Sequence, residues 1–143
     1  MPSTIMLGLH QYCESVGRIT AYLNGKYSYS LNKEQTDIAS IKERLSEGID
    51  FPESWIDLFF ISDVLMIGFG LLYEEIDLWW ILASRKRLIR QGVALNNHVY
   101  YCGTVEPGKR KLLETLDVEI VEPSNWADDY ATQYISELDK VGW

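Results

Sequence analysis

Cysteine, proline and histidine are all scarce in this chain, and no apolar run is long enough to dominate it. Only two cysteines occur, Cys13 and Cys102, far apart and with no paired spacing. That pattern excludes a disulfide-stapled scaffold and leaves two reduced, buried thiols in a cytoplasmic protein as the expectation. The two histidines, His10 and His98, have no clustered cysteines or acids beside them, so a zinc site is not expected. The start, MPSTIMLGLHQYC, lacks the basic lead and long apolar core of a signal peptide. Apolar stretches such as VLMIGFGLLY stop well short of a bilayer span, which argues against a membrane protein. Positive charge is also in deficit: 13 Lys and Arg against 21 Asp and Glu give a net charge of −8. A nucleic-acid scaffold needs the opposite excess.

With 143 residues the chain has the size of one domain. At that length roughly 68–70% of the unfolded surface is buried on folding, so no covalent staple is required. Its 47% hydrophobic and 24% charged residues are those of an ordinary globular protein. Charge is unevenly spread. Arg85, Lys86, Arg87, Arg90, Lys109, Arg110 and Lys111 sit mid-chain, while eight acids and one base, Lys140, follow from Glu114 onward. Two solvated helix faces account for this, with a local anion site as the alternative.

Residues 1–61 read as helical. Thr4–Leu9 is a short apolar lead-in or strand. Tyr12, Val16, Ile19 and Leu23 recur at helical spacing over His10–Asn24, and Asn24-Gly25 stops that helix. Lys26–Asn32 reads as a loop. Lys33–Glu47 reads as a second helix on the stripe Ile38, Ile41, Leu45, ended by Gly48. Pro52 then opens a short apolar helix through Phe60.

The pattern changes over residues 62–143. Asp63–Phe69 (DVLMIGF) is apolar without alternation, as in a strand covered on both faces. Glu74–Gln91 is a long helix, His98–Cys102 a second strand, Pro107–Leu116 a helix, Val118–Val121 a third strand, and Trp126–Lys140 a last helix capped by Ser124-Asn125. Strands alternating with helices predict an α/β fold: a three-stranded parallel sheet in a βαβαβα unit, half of a doubly wound nucleotide-binding fold. The helical segment 1–61 is expected to pack on the sheet as part of one compact domain. Since the first strand is the most apolar of the three, it should be central and not a bare edge. Its neighbour is Thr4–Leu9, a second copy, or a partner chain, and from this a homo-oligomer or a protein partner is expected.

Gly68-Phe69-Gly70 falls where a strand hands over to a helix, the place where open parallel sheets bind ligands. It is G-x-G and not the longer G-x-G-x-x-G, and Glu74 and Glu75 follow. Those acids answer the helix dipole and repel phosphate. A tight turn is one reading, and a ribose or adenine contact the other. Asp77 shares its helix with Trp79 and Trp80, and once partly buried it seeks a hydrogen-bond or Arg partner. The two tryptophans project roughly 100° apart, so one faces a partner or the N-terminal helices. His10 and Cys13 lack the third, orienting group that a nucleophile pair needs, so no catalytic residue is assigned.

The stretch SWIDLFFISDVLMIGFGLLYEEIDLWWILASRKR resembles the C-terminal half of bacterial sirtuin-like domains, in which a Gly-aromatic-Gly or Gly-Thr-Ser turn leads into a helix with an acid-Leu-Trp-Trp segment. IMLGLHQYCESVGRITAYL, HVYYCGT and VEIVEP are similar to further segments of that fold, so the likeness runs from Ser3 to about Lys140. The family binds NAD, and its members deacylate lysine or hydrolyse NAD. The resemblance implies NAD or ADP-ribose as ligand, with Gly68, Phe69 and Gly70 at the ribose and Cys102 and Gly103 near the adenine. The family's glycine-rich first turn, catalytic Asn-Asp pair and His-Gly motif all precede the matched region. The expectation is therefore a non-catalytic half domain serving as an interaction module with residual nucleotide binding. The alternative is a C-terminal fragment or subunit of an NAD-hydrolysing enzyme.

Overall fold

The computed structural model describes residues 9–31, 33–67, 70–72 and 75–122. Along these residues run α1 (Leu9–Leu23), β1 (Tyr27–Leu31), β2 (Glu34–Ile38), α2 (Ile41–Glu47), α3 (Trp55–Ile61), β3 (Val64–Ile67), α4 (Ile76–Arg90), β4 (Val99–Cys102), α5 (Pro107–Thr115) and β5 (Val118–Val121). The class is α/β. A three-stranded parallel sheet has the order β3-β4-β5, and β1 and β2 form a separate antiparallel hairpin. The expected last helix, Trp126–Lys140, and the lead-in up to Gly8 lie outside the described residues, and Leu9 already belongs to α1.

Two compact units divide the chain: Met1–Ile61 with Leu71–Leu95, and Ser62–Gly70 with Asn96–Trp143. In the first, α4 packs against α1 and α3. Ile81 and Leu82 of α4 are wholly buried, and Ile19, Leu23, Phe59 and Phe60 are buried with them. Trp80 turns toward α1, where its indole Nε1 donates to Thr20 Oγ1 at 2.9 Å. Arg85 is not part of a solvated basic face. It is buried and donates from Nε to the Phe59 carbonyl at 3.0 Å, while Arg87 and Arg90 are exposed.

The hairpin corrects the expected loop at Lys26–Asn32 and the expected helix at Lys33–Glu47. Tyr27 and Tyr29 alternate with Ser28 and Ser30, which is strand periodicity, and they pair across to Ile38 and Thr36. Leu31 pairs with Glu34, so a two-residue turn joins the strands, with Lys33 at φ 70°. The helix starts only at Ile41. Ser40 accepts from the Glu43 amide at 3.2 Å while the Glu43 carboxylate accepts from the Ser40 amide at 3.0 Å, a reciprocal cap that fixes where α2 begins. Gly25 sets the preceding turn. At φ 70° its missing side chain would lie 2.6 Å from the Ser40 nitrogen, so only glycine is accommodated.

In the second unit the register runs Val64↔Val99↔Val118 to Ile67↔Cys102↔Val121. The expectation of a central first strand is met on one flank only, and of the neighbours expected for the other flank the segment up to Gly8 lies outside the described residues. Among the described residues β3 is a border strand and β4 is the middle one. The exposures agree, since Val99, Tyr101 and Cys102 are buried whereas only Met66 is buried in β3. The length of an apolar run reports burial, but strand order depends on which distant segments pair, and no local pattern records that. Helix α5 packs on β5 and turns Leu113 fully inward while Leu112 stays 48% exposed.

This facing yields a stability test. Leu113→Ala should lower the unfolding free energy by about 2–5 kcal/mol, and Leu112→Ala should stay within about 0.5 kcal/mol of the parent. Urea unfolding of the two variants reads the difference; equal losses would mean that α5 does not present Leu113 to the sheet.

Candidate functional site

The turn residues singled out from the sequence are reached first. β3 closes at Ile67, and Gly68 and Phe69 lie outside the described residues. Gly70 is exposed, and its carbonyl accepts from Lys109 Nζ at 2.5 Å. Ile67 is in register with Cys102, so Gly103 follows the carboxyl end of the neighbouring strand, with its amide donating to the Val121 carbonyl at 3.2 Å. Cys102 is buried and in no disulfide. An ammonium group therefore stands at the carboxyl end of the parallel sheet, in the position that open sheets use for ligands. His10 and Cys13 fall in the part of α1 whose side chains lie outside the described set.

A second constellation, in the first unit, was not anticipated. Asp57, in the first turn of α3, has no solvent exposure at all. Its Oδ2 accepts from Tyr22 Oη at 2.8 Å, from Arg44 Nη1 at 2.7 Å and from the Glu53 amide at 2.9 Å; its Oδ1 accepts from Arg44 Nη2 at 2.8 Å. The guanidinium also lies 5.0 Å from the Tyr22 ring centre and donates to the Ala39 carbonyl at 3.1 Å. An ionised carboxylate survives out of water only when paired and hydrogen-bonded, and two forked donors plus two further ones achieve that. Burial pushes the Tyr22 hydroxyl well above its ordinary value of 10.0, and its bond to Asp57 and the carboxylate charge push it further. For Arg44 burial acts downward, but the bonds and charge of Asp57 outweigh it and hold the guanidinium above its usual value.

In front of this cluster opens a cleft of about 730 Å³. One wall is α1, whose Ser15, Arg18, Ile19 and Tyr22 follow helical spacing onto one face. A second is the hairpin. Tyr27 and Tyr29, two residues apart, share a side of it, and Ile38 stands opposite Tyr27. Glu53 to Ile56 supply the third, and Asp77 comes from α4. Ile19, Tyr22, Ile38 and Ile56 are buried and form the floor, while Tyr27 and Tyr29 are each 37% and Trp55 52% exposed. Asp77 finds the hydrogen-bond partner its surroundings call for: Ser15 Oγ donates to Oδ2 at 2.8 Å. Its other oxygen is buried without a hydrogen bond. The size suits a small-molecule pocket.

Sequence reasoning passed over this cleft, although two signals were available. The alternation in YSYS marks a strand that sets two tyrosines side by side. An aspartate within the apolar helix WIDLFFI demands a buried partner. The partners themselves, 13 and 35 residues away, leave no local trace.

No family model, curated protein or solved structure matches the chain. Among the described residues there is no group of three or more His, Cys, Asp or Glu able to hold a metal, and no helix is long and apolar enough to cross a membrane.

Removing one partner of the cluster tests its weight. Asp57→Asn strands a part-buried guanidinium and should destabilise by about 3–5 kcal/mol, whereas Tyr22→Phe loses one charge-assisted bond, about 1.5–3 kcal/mol. A phenol whose folded pKa is raised stabilises fully below its unfolded value of 10.0 and loses that contribution as pH climbs through the raised one. Unfolding midpoints of the parent should therefore fall above pH 10 more steeply than those of Tyr22→Phe; parallel curves would refute the assignment.

Proposed function

We propose that this chain is a non-catalytic interaction module that assembles through the outer edge of β3, with a second copy of itself as the partner. One observation carries the reading. The Val64 amide donates to the His98 carbonyl at 2.9 Å, toward β4. Amide and carbonyl of successive strand residues point to alternate flanks, so those of Leu65 and Ile67 face away from β4. No described strand pairs with that flank. The edge is apolar, VLMI, without the lysine, proline or bulge that usually blunts a border strand. An apolar edge of this kind recruits another strand by main-chain hydrogen bonds.

Lys109 beside the Gly70 carbonyl favours a second reading, a subunit of an NAD-consuming enzyme. Its ammonium sits where a ligand phosphate would be met.

Light scattering on the purified chain should give twice the chain mass, and Leu65→Pro, which removes an outward amide, should shift it to the monomer with its circular dichroism kept. A parent that stays monomeric at high concentration sinks the assembly reading. Calorimetry with ADP-ribose addresses the second: heat of binding that is lost in Lys109→Ala supports it, and silence in the parent removes it.

A further inference from the structure

The cleft of the first unit has no part in the assembly reading, and its chemistry points elsewhere. Two carboxylates, Glu53 and Asp77, stand against one guanidinium, Arg18, in its lining. Asp77 is half-satisfied: one oxygen accepts from Ser15, and the other, buried, accepts nothing. A carboxylate in a low-dielectric wall projects its charge into the space in front of it, so the pair sets a negative potential over the cleft without needing direct contact. Tyr27, Tyr29 and Trp55 stand part-exposed at the mouth, over a floor of buried isoleucines. Aromatic faces are themselves negative.

An anionic ligand would meet two carboxylates and ring faces within a chain of net charge −8. A neutral apolar ligand would gain nothing from that negative field. A cation on an apolar body satisfies both conditions. The same unit already holds one cation in this manner, since the Arg44 guanidinium lies 5.0 Å from the centre of the Tyr22 ring and pairs with Asp57. We propose that the cleft is a binding site for a small organic cation, an ammonium group carried on an apolar or aromatic body, with Trp55 and the two tyrosines receiving it and Glu53 and Asp77 setting the field.

The test is calorimetry on the full chain with benzyltrimethylammonium as the probe. Benzyl alcohol serves as the uncharged ring control and adenosine monophosphate as the aromatic anion. The cation should bind about tenfold more tightly than either control. Glu53→Gln changes an exposed side chain and should keep the parent's thermal midpoint, while Trp55→Ala also gives up an edge contact with Phe59 and should lower it; both should weaken the cation about fivefold at a temperature where each variant is folded. No measurable binding of the cation, equal affinity for benzyl alcohol, tighter binding of the nucleotide, or either variant binding like the parent would each overturn the proposal.

Discussion

The first unit depends on one buried carboxylate. Helices α2 and α3 have seven residues each, too short to hold themselves together in water. Asp57 makes them a unit: Arg44 reaches it from α2, Tyr22 from α1, and the Glu53 amide from the turn before α3. Desolvating such an ion costs several kcal/mol, and that is offset only when every donor is in place. The cluster is therefore strict about geometry even where its net contribution to stability is modest. It also places the cleft. Tyr22 is at once a donor to Asp57 and part of the cleft floor, and Glu53 lends its amide to Asp57 while its side chain lines the opening. An aromatic-acidic surface is thus held in position by groups that are themselves locked.

In the second unit the constraint is different. Four-residue strands give little pairing energy, and the sheet relies on the burial of Val99, Tyr101, Leu113 and Val118 around the middle strand. β4 has strands on both flanks, and β5 has α5 packed upon it. β3 has β4 alone among the described residues, and three of its four side chains, all but the buried Met66, are only partly buried.

Legibility in the sequence followed the range of the interaction. The three parallel strands were readable because VLMI, VYYC and VEIV are short, mostly β-branched, aromatic or apolar segments closed by glycine or, after Glu122, proline, and the helices because their stripes recur within two turns. α2 was readable in its true place too, since Ser40 and Glu43 are spaced as a capping pair, but the stripe Ile38, Ile41, Leu45 overrode that signal and carried the helix back to Lys33. Ile38 in fact faces the cleft from β2. Strand order and the Asp57 cluster were not readable at all, because each rests on residues brought together from far apart. Of the expected turn residues, Gly70, Cys102 and Gly103 do stand at the carboxyl ends of neighbouring strands, and Lys109, from the basic cluster read as a solvated face or an anion site, reaches the Gly70 carbonyl.

The border position of β3 links the two readings of the parallel sheet. In a doubly wound sheet the ligand crevice opens where strand order reverses, beside the first strand of a half. Within β3-β4-β5 the order never reverses, so the described strands contain no such crevice. A parallel strand added outside β3 would create one, with Gly70 and Lys109 at its mouth, whereas two copies related by a twofold axis set β3 against β3 antiparallel and would not. Any affinity for ADP-ribose should then survive Leu65→Pro and be lost in Lys109→Ala, which separates a lost partner from a lost ligand contact.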